Sequence, residues 1–149
     1  MARAVPLLVP CLSLTACDSG GDSRTELERL FDCDTVREIA FPSTTDGALS
    51  ASDCEYLDGD GTYADYYTFD LDATTNVDIF QVSDTIDSFL SLYDDAGHEL
   101  AFDDDSGSDF FGPTDARISR SLSAGVYVIA ANSNEAETGP YTLQLTTTP

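Results

Sequence analysis

The chain of 149 residues carries 28 acidic side chains against 6 basic ones, has no lysine, and has a formal net charge of -22. That length fits one domain. The charge excludes nucleic-acid binding and polybasic docking on a membrane surface, since both need clustered Lys and Arg. A hydrophobic content of 42% separates the chain from acidic disordered tails, and its 21 aspartates and 10 glycines favour strands and turns over helices.

In chain order, Met1 to Arg3 form a short basic start, and residues 4–16 form an apolar run interrupted by Pro6 and Pro10. The run is too short for a membrane-spanning helix, which needs about 20 residues, and has the length of a secretory signal core. It ends in Leu14-Thr15-Ala16-Cys17. This resembles the lipobox of bacterial lipoprotein signal peptides, which implies cleavage before Cys17 and lipidation of that cysteine. The alternative is an ordinary signal peptide cut after Ala16, leaving Cys17 as a thiol. Lipidation by two or more acyl chains makes a stable anchor, whereas one chain binds marginally.

Cys11 leaves with the signal peptide and Cys17 carries lipid, so Cys33 and Cys54 remain. In the oxidising compartment outside the cytoplasmic membrane they are expected to form one disulfide. It closes a loop of roughly 20 residues and is worth about 3 kcal/mol in the chain-entropy view. A two-thiolate metal site is the weaker reading, because His98 is the only histidine.

Residues 17–37 read as a lipidated acidic tether, flexible over residues 18–23. Residues 25–31 can form a short helix with Thr25 as N-cap and Glu28 at N3. From Glu38 onward the pattern has period two. Tyr67, Phe69 and Leu71 alternate with polar neighbours. So do Val77 and Ile79, Leu90 and Leu92, and Tyr141, Leu143 and Leu145. Around Tyr127, Ile129 and Ala131 the intervening residues are also apolar, so this strand is expected to be buried on both faces. Turn signals such as Asp46-Gly47, Asp58-Gly59-Asp60-Gly61, Asp105-Ser106-Gly107 and Gly139-Pro140 separate the runs. Short strands at this spacing predict an antiparallel sandwich or barrel. No short repeat points to a propeller or solenoid.

Residues 46–146 contain an ordered set of motifs. These are Gly47-Ala48-Leu49, Asp53-Cys54 through Asp58-Gly59, Asp65-Tyr66-Tyr67-Thr68-Phe69, Ile86-Asp87-Ser88-Phe89-Leu90 and Asp104-Asp105-Ser106-Gly107. Asp115-Ala116-Arg117-Ile118, Gly125-Val126-Tyr127-Val128-Ile129 and Gly139-Pro140-Tyr141-Thr142-Leu143 complete it. The set resembles the bacterial pre-peptidase C-terminal domain. The resemblance implies an all-β fold, an antiparallel jelly-roll-like β-sandwich forming a single domain over residues 38–149. Such domains usually trail a secreted peptidase or other hydrolase, whereas a signal and tether precede this one.

Catalytic machinery is not marked. His98 lies in the turn Asp94-Asp95-Ala96-Gly97-His98, and no Gly-x-Ser-x-Gly elbow occurs. Two acidic turns are candidate calcium sites, because Ca²⁺ takes six to eight oxygen ligands. One contains Asp103, Asp104, Asp105 and Asp109, the other Asp58, Asp60 and Asp65. Neither has EF-hand spacing, some members of the resembling family bind calcium near these loops, and the bland reading is turn chemistry. Tyr56, Tyr63, Tyr66, Tyr67 and Tyr93 are candidates for a ligand platform, set against the strand preference of tyrosine. The absence of lysine points to a salt-tolerant source, since about 1 M salt shortens the screening length to about 3 Å.

The functional expectation is a non-catalytic lipoprotein of the cell envelope, anchored to membrane by lipid outside the cytoplasm. Its sandwich binds polysaccharide or a secreted protein and no nucleic acid, with calcium as a stabilising ion. The second expectation is a stand-alone accessory or targeting partner of secreted peptidases and other hydrolases.

Overall fold

The computed structural model describes residues 25–57 and 59–148. The expected signal peptide, Cys17, the flexible part of the tether and Asp58 lie outside the described residues.

One helix and ten strands follow each other in the chain. They are α1 (Glu26–Leu30), β1 (Val36–Glu38), β2 (Ser43–Leu49), β3 (Cys54–Glu55), β4 (Tyr63–Leu71) and β5 (Thr75–Val82). Then come β6 (Ser88–Asp94), β7 (Glu99–Asp103), β8 (Ala116–Leu122), β9 (Gly125–Ser133) and β10 (Gly139–Thr147). Helix α1 starts as its sequence predicts. The Thr25 side chain accepts from the Glu28 backbone N–H, and the Glu28 carboxylate returns to the Thr25 N–H.

Period-two patterning sends one row of each strand inward, and two sheets close over that row. The larger runs β1-β4-β9-β6-β7 with β3 added to β4, and the smaller runs β2-β10-β5-β8. The chain changes sheet at most connections, which gives the expected jelly-roll-like sandwich. All pairings are antiparallel but one. Edge strand β1 runs parallel to β4, Val36 opposite Tyr66. This edge was not legible as a strand, because its three residues show no alternation.

Between the sheets lie Tyr67, Phe69 and Leu71 of β4, Leu90 and Leu92 of β6, and Tyr127, Ile129 and Ala131 of β9. They meet Val77 and Ile79 of β5, Ile118 and Leu122 of β8, and Tyr141, Leu143 and Leu145 of β10. A second apolar cluster covers the outer face of the larger sheet. It joins Phe31 and Cys33 to Tyr56, Ala64, Tyr66, Tyr93, Val128 and Ala130. The Phe31 ring packs on Tyr66 and Tyr93, with centroids 4.9 and 5.2 Å apart. This cover is why β9 is buried on both faces.

The stretch from α1 to β1, read from sequence as the end of a tether, is therefore built into the domain. Phe31 has 1% of its surface exposed, a burial that a flexible linker would not provide. The Cys33–Cys54 disulfide, with Cα atoms 5.4 Å apart, clasps this arm to β3. Replacing both cysteines (Cys33→Ala with Cys54→Ala) is expected to lower the unfolding free energy by about 2–4 kcal/mol. Urea titration followed by tyrosine fluorescence measures it, and an unchanged midpoint would show that the arm stays in place without the clasp.

Candidate functional site

The residues with most chemistry to offer are largely committed to holding the sandwich together. Asp65 on β4 is buried, and its Oδ2 accepts from the Tyr141 hydroxyl at 2.5 Å. Tyr141 also pairs with the Tyr67 hydroxyl at 2.7 Å. Arg37 on β1 donates from Nη2 to Asp65 Oδ1 at 2.9 Å, with its guanidinium over the Tyr67 ring. The Tyr141 ring lies directly on the backbone at Gly47, where a Cβ would sit 2.3 Å from a ring carbon. The signature residues Gly47, Asp65, Tyr67 and Tyr141 thus form one buried network across both sheets. Burial pushes the Asp65 carboxyl above its ordinary value of 3.8, and the Tyr141 hydrogen bond and Arg37 charge offset this only in part.

The same holds for the acidic loop between β7 and β8. Asp103 Oδ2 accepts from the backbone N–H groups of Ser106 and Arg117 at 3.0 and 2.8 Å. Buried Asp115 accepts from the N–H of Ser83 at 2.9 Å and of Gly112 at 2.5 Å. Its own carbonyl accepts from Gly107 N–H at 2.8 Å. A Cβ at Gly107 would lie 2.5 Å from that carbonyl oxygen, so the glycine is required for the close approach. Asp105 and Asp109 are exposed. The Asp105 carboxyl is pushed up by local desolvation and then by the charges of Asp104, Asp87 and Asp103.

On the other turn, Asp60 Oδ1 accepts from the Thr62 N–H and hydroxyl, while Asp65 points into the core. Asp58 lies outside the described residues. Among the described residues no three His, Cys, Asp or Glu side chains gather in the manner of a metal site. Of the carboxylates considered for calcium, Asp60, Asp65 and Asp103 each have separate backbone or side-chain partners. His98 is exposed, with Nδ1 3.0 Å from Asp94 in its own turn. The Asp94 carboxyl is held below its ordinary range, first by the backbone N–H of His98 and then by the His98 ring.

The tyrosine platform is corrected by the structure. Tyr56, Tyr66, Tyr67 and Tyr93 are buried, and only Tyr63 is partly exposed. The Tyr56 hydroxyl pairs with Ser91 at 2.6 Å and accepts from Tyr93 at 3.0 Å. Both belong to the second apolar cluster, which sequence reading did not foresee.

Among the described residues three aromatic rings stand exposed elsewhere, Phe102 on β7 and a pair on the following loop. Phe110 and Phe111, 55% and 52% exposed, rise from the β7–β8 loop over the outer face of the smaller sheet. Both meet Phe80 edge-on, with centroids 5.5 and 5.3 Å away. The Arg117 guanidinium lies 4.4 Å from the Phe110 centroid and is held from Nε and Nη2 by Asp78 Oδ1. On the same sheet an open groove of about 520 Å³ is lined by Asp46, Gly47, Val82, Ser83, Asp84, Thr85, Pro140, Tyr141 and Thr142. The sequence held a signal for this site. Two adjacent phenylalanines in a turn-rich segment cannot both serve an alternating strand, so at least one needs another explanation.

No protein-family model matches the chain, and no curated protein is a significant match. Solved structures do share its architecture. A pre-peptidase C-terminal domain of a collagenase from Bacillus anthracis superposes with a TM-score of 0.57 at 18% identity, over 74% of this chain and 94% of that one. A surface-associated copper-binding protein of Methylomicrobium album superposes with a TM-score of 0.53 at 9% identity, over 78% and 99%. The chain thus has a fold like that of pre-peptidase C-terminal domains, as the order of its motifs implied.

Two measurements follow from this geometry. Because the folded-state pKa of Asp65 is raised above its unfolded value, its contribution to stability is full below about pH 3.8. It is lost as the pH rises through the raised value. Denaturant titrations across this range should show wild type losing stability relative to Asp65→Asn as pH rises, and a parallel pair of curves would refute it. Tyr141→Phe, which takes a donor from a buried carboxylate, should cost about 1–3 kcal/mol. Secondly, the thermal midpoint should rise between about 0.1 and 1 M NaCl by screening. Calcium at matched ionic strength should add nothing that EGTA removes, and a chelator-sensitive increment would establish an ion site.

Proposed function

We propose that this chain is a non-catalytic lipoprotein of the bacterial envelope whose β-sandwich recognises a ligand outside the cytoplasmic membrane. The observation that carries the reading is the division of labour among its residues. The buried carboxylates, the tyrosines and Arg37 and Arg117 are committed to the fold. Phe110 and Phe111 stand exposed on a loop fixed by Asp103 and Asp115. Exposed aromatics on a hydrogen-bonded loop beside an open groove are the anatomy of a binding surface rather than of a reaction centre.

The sequence Leu14-Thr15-Ala16-Cys17 supports the lipid anchor. The anchor supplies location and the sandwich supplies recognition. The second reading, an accessory or targeting partner of secreted peptidases, is favoured by the fold shared with a collagenase's pre-peptidase C-terminal domain.

Cell fractionation tests the anchor. Wild type is expected with membranes, and Cys17→Ser in the soluble fraction. Equal membrane association of both proteins would remove lipidation from the account. Recognition is tested with the full chain in detergent against insoluble polysaccharides and immobilised secreted peptidases, where retention on neither class would refute a binding role.

A further inference from the structure

We infer that the outer face of the four-stranded sheet is a binding site for an uncharged polysaccharide chain. Sugar rings stack on Phe110 and Phe111, and sugar hydroxyls hydrogen-bond along the groove formed by β2, β10 and the loop at residues 83–85. The inference rests on the recognition reading above and names its ligand and its surface.

The pairing registers define this face. One row across the sheet is Thr44, Gln144, Phe80 and Arg117. The next is Asp46, Thr142 and Val82, and towards the other end lie Thr146, Asp78 and Ser119, then Asn76 and Ser121. Hydroxyl and amide groups dominate. In a chain of net charge -22 the face presents two carboxylates and one guanidinium, and Arg117 is paired with Asp78 at 2.7 Å. Only Asp46 is left uncompensated, with Asp84 at the groove rim.

This charge distribution selects the ligand. An anionic polymer is repelled by the molecule as a whole. A basic protein is drawn to the carboxylate-rich turns and gains little from a face whose one guanidinium is paired and whose carboxylates are two. An uncharged chain with apolar ring faces and hydroxyl edges matches what is present. Phenylalanine faces take the C–H surfaces, Ser83, Thr85 and Thr142 offer hydroxyls, and Asp46 and Asp84 accept hydrogen bonds. Thr142 Oγ1 already donates to Asp46 Oδ1 at 3.0 Å, which fixes that acceptor.

The aromatic part is ordered before any ligand arrives. Phe80 is buried beneath Phe110 and Phe111, Arg117 is held against Phe110, and Asp115 ties the loop to Ser83 at the groove edge. Rings held this way lose little conformational entropy on binding. The opposite face of the sandwich is covered in part by the arm carrying Phe31 and Cys33, which leaves the exposed Phe102 at its β7 edge.

The full chain in detergent micelles is titrated against microcrystalline cellulose and chitin, with polygalacturonate and an immobilised secreted peptidase alongside. Retention is expected on an uncharged polymer and should be insensitive to salt between about 0.1 and 1 M. Phe110→Ser combined with Phe111→Ser should weaken it by about tenfold or more. Phe102→Ser, a solvent-exposed aromatic on the other sheet, should leave it unchanged. Should the double variant fail to fold, Asp84→Ala and Asp46→Ala in the exposed groove wall decide, each lowering affinity. Retention on the peptidase or the anionic polymer alone overturns the inference while leaving a recognition role standing. Wild-type retention by the phenylalanine or groove variants moves the site elsewhere and overturns it too.

Discussion

One carboxylate placed where water cannot reach it organises this sandwich. Asp65 sits on a central strand of the larger sheet, yet its strongest partner, the Tyr141 hydroxyl, comes from the smaller one. An unpaired ion there would cost several kcal/mol, so the network must close completely or the sheets cannot meet in this register. Tyr141, Tyr67 and Arg37 close it, and Gly47 is small because the Tyr141 ring occupies the space of a side chain. Strands β1, β2, β4 and β10 are thereby fixed to one another by a single cluster. The same tyrosine lines the open groove, so the feature that sets the register also shapes one of its walls.

The excess of aspartate over glutamate has a local cause. Asp53, Asp60, Asp94, Asp103 and Asp115 each accept a hydrogen bond from a backbone N–H within a few residues. A carboxylate one methylene from the backbone reaches such groups in a turn, whereas glutamate must fold back to do so. The acidity is therefore partly the chemistry of the connections. Its remainder is a solvated surface that repels itself and benefits from salt.

The alternating rows of β4, β5, β6, β9 and β10 were legible in the sequence because their period of two is strict, and the order of motifs carried the topology. The capping box of α1 and the Cys33–Cys54 pair were legible because each depends on few residues. The second apolar cluster was not. It brings together Phe31, Tyr56, Tyr66 and Tyr93, whose spacing along the chain says nothing of their meeting. For that reason the pattern left these tyrosines open between a ligand platform and ordinary strand residues. In the acidic turns, nearness in sequence did not tell which way each carboxylate points: Asp65 turns inward while Asp60 stays on its own turn.

The covering arm also decides which outer face stays more open to solvent. A two-sheet sandwich offers two outer faces, and α1, Phe31 and the disulfide cover much of one of them. The four-stranded sheet lies across the core from that arm, and it carries the hydroxyl-rich rows and the phenylalanine pair. An isolated sandwich lacking the arm would expose the tyrosine cluster and lose the distinction between its faces.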